Sequence, residues 1–284
     1  MEGTRQTHYF VPDPSYWPLV GAIALFCLGL GAALAINGVA LGGGLLVTGA
    51  SILVYMLFGW FGDVIRESLA GRYHGKEDHS FRWAMGWFIF SEVMFFAAFF
   101  GVLFYVRVIS VPELGNFSHK LLYPDFEAAW PLSTGPGITA PYEAMSAWGL
   151  PAINTLILLS SGVTVTVAHW GLVKGKRGQL AWGLGGTVLL GTLFLVMQGW
   201  EYAHALHELN LTFASGAYGM TFYMLTGFHG LHVLLGTVIL FVVWMRVLKG
   251  HFDAEHHFAF EAAAWYWHFV DVVWLLLFVF VYWL

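Results

Sequence analysis

The stretch FEAAAWYWHFVDVVWLLLFVFVYWL, Phe260 to Leu284, decides the fold. As a helix it is long enough to cross a hydrocarbon core of about 30 Å, yet it carries Glu261, His268 and Asp271. A charged side chain at bilayer depth costs roughly 2.5 to 3.5 kcal/mol on insertion scales, so such groups face protein and have partners. At helical spacing Glu261 and His268 lie two turns apart on one face, and Asp271 sits one turn beyond His268. The stretch reads as a helix with a packed side that buries all three groups and a second side that meets lipid.

Composition extends this reading to the whole chain, which is 58% hydrophobic, 18% aromatic and only 10% charged. An average soluble domain is about 25% charged, and a soluble fold is excluded. Six further apolar runs of spanning length centre near Gly29, Leu53, Ala97, Leu158, Leu190 and Leu235, with the last near Trp274. The fold class is therefore an all-α membrane protein with seven transmembrane helices. The polar first sixteen residues lack the pattern of a removable signal peptide. The net charge of −5 says little about partners, because the signs sort across the membrane, and no nucleic-acid partner is expected.

Orientation follows from Lys and Arg, which gather on the cytoplasmic side. With the N-terminus inside, inner segments hold Arg5, Arg66, Arg72, Lys76, Arg82, Lys174, Lys176, Arg177, Arg246 and Lys249, ten of the twelve; Arg107 and Lys120 lie outside. Seven spans then leave the C-terminus outside, with Tyr282 and Trp283 suited to the interfacial aromatic belt. One long connection, from about Arg107 to Ala147, carries five prolines and predicts an ordered or partly ordered external loop. The link Arg66 to Arg82 separates the first two spans, about 16–68, from the other five, about 82–284, within a single transmembrane domain. Cys27 is the one cysteine, so neither an internal disulfide nor a Cys-based metal cluster can form, and apolar packing is its expected role.

Several residues could carry chemistry. Glu92 sits mid-span with Phe88, Phe95, Phe96 and Phe99 at offsets of three, four and seven, so rings should surround its carboxyl and disfavour the charged form. Read as a structural acid it bonds to another helix; read as a functional one it handles protons. His229 and His232 share a turn, but two imidazoles need further ligands to complete a metal sphere. His169, His204 and His207 supply spare imidazoles elsewhere. The expected task is interhelical hydrogen bonding, at roughly 1 kcal/mol each, to Glu201, Glu261 or Asp271. Trp60, Asp63 and Arg66 follow at helical spacing near an inner interface with His74 beyond, while Arg246, Lys249 and His251 end the sixth span. Basic groups beside aromatics at that depth suit phospholipid headgroups, although topology-setting charges with snorkelling stems look the same. His8, Asp13 and His79 lie on the predicted inner surface, where such groups buffer near neutral pH.

The C-terminal stretch, together with TGFHGLHVLLGT (Thr226 to Thr237), PAINTLILLSSGVTVTVAHW (Pro151 to Trp170), FIFSEVMFF (Phe88 to Phe96) and FGWFGDVIRES (Phe58 to Ser68), closely resembles subunit III of the haem-copper cytochrome c oxidases of the aa3 type. These words keep the family's order and separations from SYWPLVGA at Ser15 to the C-terminus. The resemblance implies a V-shaped bundle, two helices leaning away from five, with phospholipids in the cleft. It places Trp60, Arg66, His74, Glu92, Arg246, Lys249 and His251 along that cleft or its rim, with Phe61 and Phe88 on acyl chains. Many members have two adjacent tryptophans where this chain has Trp60 and Phe61, which leaves one lipid contact open. Glu92 matches the family's carbodiimide-reactive carboxylate, and His8, Asp13 and His79 match a proton-gathering inner face.

The same resemblance implies no redox centre in this chain. Haem a and copper sit in partner subunits I and II, cytochrome c donates electrons, and the complex reduces oxygen while pumping protons. This chain would stabilise the complex, support proton uptake and protect against turnover inactivation. Its style and extended loop favour a bacterial inner membrane over a mitochondrial one. Alternatives are the third subunit of a quinol oxidase, whose typical form lacks the first two spans, and an accessory protein of nitric oxide reductase. Two remoter readings are a self-contained haem protein using His229 or His268, and a transporter built on Glu92, Glu201, Glu261 and Asp271.

Overall fold

In the computed structural model, which describes residues 13–73, 75–116, 121–122, 124–134, 137–138 and 140–284, seven helices are long and apolar enough to cross a membrane. They are α1 (Trp17–Ile36), α2 (Leu41–Leu69), α3 (Gly75–Phe104), α4 (Leu150–Val173), α5 (Arg177–His207), α6 (Gly216–Leu248) and α7 (Phe258–Leu277). A π-helical turn, Tyr105–Ser110, and a last α-turn, Val111–Leu114, prolong α3, and a second π-helical segment, Phe278–Trp283, prolongs α7. Among the described residues there is no strand, only one antiparallel bridge between Ile138 and Ser215. The chain forms two compact units, Met1–Ser80 and Phe81–Leu284.

The first unit is the α1–α2 hairpin, turned at Gly38, whose φ of 73° suits glycine. The two backbones touch through small residues: a Cβ on Gly42 would lie 2.3 Å from the Ala35 nitrogen, and one on Gly31 2.8 Å from that of Leu46. Close backbone approach supplies the van der Waals contact that holds helices together where lipid removes the hydrophobic drive. Trp17 anchors the hairpin's open end, its ring against Gly59 and its Nε1 donating to Asp63 Oδ2 at 2.6 Å.

The second unit is built around α7, which packs on α4 and α6. Phe260, Trp267, Trp274 and Leu277 are fully buried. Each buried indole finds the acceptor its N–H requires: Trp267 donates to Ser161 Oγ and Trp274 to Thr155 Oγ1, both at 2.9 Å. Gly191 on α5 and Gly236 on α6 leave room for the Trp267 ring, since a Cβ on either would come within 2.9 Å of it. The α4–α5 and α5–α6 pairs are tied by Thr164 to Thr187 at 2.8 Å and by Tyr202 to Thr226 at 2.7 Å. The long connection is ordered where described. Val111, Phe126 and Leu132 form a small core, and Asn210 Nδ2 and the Glu143 N–H stitch it to the α5–α6 turn at 2.8 and 2.9 Å.

Two expectations about the last helix need correction. His268 is exposed rather than buried, because each helical residue advances about 100° and the buried stripe runs through Ala264, Trp267, Asp271 and Trp274, leaving 268 at its edge. Tyr282 is buried instead of standing in an interfacial belt, whereas Trp283 is exposed. Tyr282 follows Ala264 by five turns at 3.6 residues each, which returns it to the buried stripe, and its hydroxyl bonds Glu201 there.

Candidate functional site

Helix α3 carries Glu92 into the second unit facing α6. Its Oε2 lies 2.8 Å from His232 Nε2, and the other ring nitrogen, Nδ1, lies 2.6 Å from the Phe228 carbonyl oxygen. A carbonyl only accepts, so Nδ1 carries a hydrogen. Between Nε2 and the carboxyl there is then one further proton, either on Glu92 facing a neutral imidazole or on a His232 cation facing a carboxylate. Both arrangements leave the pair without net charge. Phe95, Phe96 and Tyr266 ring the imidazole at 4.9 to 6.4 Å between centroids. The aromatic shell expected around Glu92 is thus shared with a histidine from another helix.

The other interior carboxylates are held in the same way, though by different partners from those expected. Glu201 is fully buried on α5 and accepts from the Tyr282 hydroxyl at 2.6 Å, not from a histidine. His229 reaches the Val270 carbonyl oxygen at 3.2 Å. Glu261 on α7 pairs with Arg82 on α3 and with His257 Nε2, the latter at 3.0 Å. Asp271 Oδ2 lies 3.7 Å from His268 on the same helix and fits against α4 where Gly162 has no side chain. His204 pairs with Glu208 at 3.0 Å one turn away, so it links no second helix. His257 stands four residues before Glu261, a helical spacing visible in the sequence, and was missed as its partner.

The α6–α7 turn assembles one set of donors that sequence spacing does not show. His169 on α4, His257 and Glu261 place one ligand atom each within 4.8 Å of one another. Two imidazoles and a carboxylate are a donor set a divalent cation accepts, and here Arg82 occupies the carboxylate's other oxygen.

The expected lipid residues divide between the units. In the first, Trp60 and Phe61 are exposed, and Arg66 pairs with Asp63. A cavity of about 510 Å³ is lined there by Asp13, Trp17, Trp60, Asp63, Arg66 and Arg72 among others. In the second, Phe88 stacks on Tyr266 with centroids 6.2 Å apart. Arg246 lies 4.5 Å over the Phe252 ring, with Lys249 exposed and His251 half-buried beyond the end of α6. Desolvation and then the charges of Arg246 and Lys249 hold His251 below the usual histidine value. Arg177 extends the cationic cluster, its guanidinium lying against Gly250. Of the inner-surface groups, Asp13 pairs with Arg72 and His79 is exposed on the first turns of α3. His8 and His74 lie outside the described residues.

This pattern of seven spans with cross-helix carboxylate pairs can be set against known proteins. Residues 7–284 match the model of the family described as cytochrome c oxidase subunit III. The chain belongs to the cytochrome c oxidase subunit III family. It is 43% identical over 281 residues to the cytochrome c oxidase subunit 3 of Oncorhynchus clarkii, covering 98% of each chain. Similar proteins of the same name occur in Hippopotamus amphibius, 42% identical with 99% of this chain and 98% of that one covered, and in Marchantia polymorpha, 42% identical with 100% and 98% covered. Membership in the subunit III family makes this chain a multi-pass membrane subunit of a respiratory-chain oxidase.

Proposed function

We propose that this chain is the non-catalytic third core subunit of an aa3-type cytochrome c oxidase. It assembles with subunits I and II, which hold haem a and copper and receive electrons from cytochrome c. The observation that carries the reading is that interior carboxylates are tied to donors on other helices: Glu92 to His232, Glu261 to Arg82, and Glu201 to Tyr282. Ionisable groups used this way cross-brace a bundle, which is the work of a stabilising subunit. The Lys and Arg distribution supports an N-terminus inside and a C-terminus outside.

Phospholipids are the ligands of this subunit. In the first unit Trp60, Phe61 and Arg66 supply aromatic and basic surface; in the second Phe88, Arg246, Lys249 and His251 do so, with Glu92 as the carboxyl of that site. Basic side chains at a span's end next to aromatic rings hold headgroups by charge and chains by contact. Asp13 and His79 support proton delivery to the uptake path of the catalytic subunit. The extended loop favours a bacterial inner membrane, while the relatives named above come from a fish, a mammal and a liverwort; fractionation of the source cell decides between membranes.

The experiment is to place Glu92→Ala or Arg66→Ala in the assembled oxidase and follow activity through sustained turnover. Normal visible spectra with faster inactivation are expected. Unchanged inactivation in both variants overturns the protective role. Stripping this chain from the complex should leave the Soret band with the partners, and a haem that follows this chain would overturn the non-catalytic assignment.

A further inference from the structure

In the second unit an open groove of about 750 Å³ runs between the far half of α3 and the end of α7. Val93, Ala97, Phe100 and Phe104 line one wall, and Val272 and Leu276 the other. The lining is apolar throughout except for Arg107 at one end. Arg107 donates to the Leu284 carbonyl oxygen and lies 5.9 Å over the Trp130 ring. A guanidinium has five N–H donors, so most of its donors stay available.

The depth of this arginine follows from helix geometry. Arg82 and Arg107 are 25 residues apart, roughly 37 Å along the helix, which exceeds the hydrocarbon core of about 30 Å. With Arg82 at one interface, Arg107 stands at headgroup level on the opposite face. From Arg107 back to Val93 is 14 residues, about 21 Å, enough to accept the hydrocarbon of one leaflet, about 15 Å deep. A guanidinium at headgroup level above an apolar slot of leaflet depth matches one chemistry, an anionic head on an acyl chain.

We propose that this groove is a phospholipid site, with one acyl chain against Phe100, Phe104 and Leu276 and the phosphate on Arg107. A partner helix fits worse. An apolar helix offers nothing to the guanidinium, whose remaining N–H donors call for an anion. Arg binds phosphate through paired N–H groups, and the Trp130 ring holds its plane in place. The site lies at the other end of the spans from Arg246, Lys249 and His251 and does not depend on their role.

The test uses the protein in the membrane assembly in which it occurs. A phospholipid carrying a photoreactive group in its acyl chain is added to wild type and to Arg107→Gln, Ala97→Phe and Lys174→Gln assemblies, and labelled peptides and retained phospholipid are counted by mass spectrometry. Labelling at Phe100, Phe104 or Leu276 in wild type, with label and one phospholipid lost in Arg107→Gln and Ala97→Phe but kept in Lys174→Gln, is the expected result. Absence of label at these residues in wild type overturns the proposal. So does label that persists in Arg107→Gln and Ala97→Phe, or loss of a partner chain with phospholipid unchanged, which would mean that a protein helix fills the groove.

Discussion

Glu92 on α3 and His232 on α6 stand 2.8 Å apart, Oε2 to Nε2, in a hydrogen bond that takes one proton between the two groups. The Phe228 carbonyl holds the imidazole's Nδ1–H at 2.6 Å, so the ring cannot turn its other nitrogen away without losing a bond. The pair is therefore a neutral brace between helices, in a medium where an unpaired charge is costly.

Removing one member of this brace leaves the other unsatisfied. Glu92→Ala should destabilise the folded subunit by about 1–3 kcal/mol, the cost of a stranded polar group. Glu92→Gln should cost less, since its amide can donate to Nε2 as a protonated acid does. Thermal dissociation of the subunit from its complex measures both, and equal losses would argue against the shared proton.

The α1–α2 contact predicts a sharp positional contrast. Gly42→Leu forces a Cβ to within 2.3 Å of the Ala35 backbone, where no side chain can give way, whereas a Cβ on Gly43 meets nothing within 4 Å. Overpacking of this kind costs about 1–3 kcal/mol or more. The melting temperature of the purified subunit should fall in the Gly42 variant and hold in Gly43→Leu.

Trp267 offers a graded series. Trp267→Phe keeps most of the ring volume but leaves Ser161 Oγ without its donor, a loss of about 1 kcal/mol. Trp267→Ala opens a cavity between Gly191 and Gly236 and should cost about 3–5 kcal/mol. Resistance of the purified subunit to protease after mild heating should fall in that order.

The α6–α7 turn carries a pH dependence of known sign. The backbone N–H groups of His256 and Glu255 bond the Asp253 carboxylate, at 2.6 and 2.8 Å, and hold it below the ordinary carboxylate value. A depressed acid contributes stability that is present above its unfolded value and lost as pH falls through the folded one. Amide exchange at Glu255 and His256, corrected for intrinsic rates, should therefore show less protection as pH drops below about 4. Asp253→Asn should remove that pH dependence; its persistence in the variant would place the titrating group elsewhere.

The number of spans, their order and the family were legible in the amino-acid sequence, because length, hydropathy and rare aromatic words are properties of a line of residues. So was the fact that Glu92, Glu201, Glu261 and Asp271 need partners, since bilayer depth penalises any charge left alone. The partners on other helices were decided by the tertiary structure, whereas His257 for Glu261 and His268 for Asp271 lie within one turn in the sequence. Glu92 meets a residue 140 positions away and Glu201 one 81 positions away. Those meetings depend on how each helix is rotated about its axis, and spans that are hydrophobic nearly all round leave that rotation unmarked in their pattern. The Tyr282 hydroxyl shows the limit most directly. Its bond to Glu201 joins the end of the last span to α5, a meeting set by how the two helices lie against each other and not by residue type.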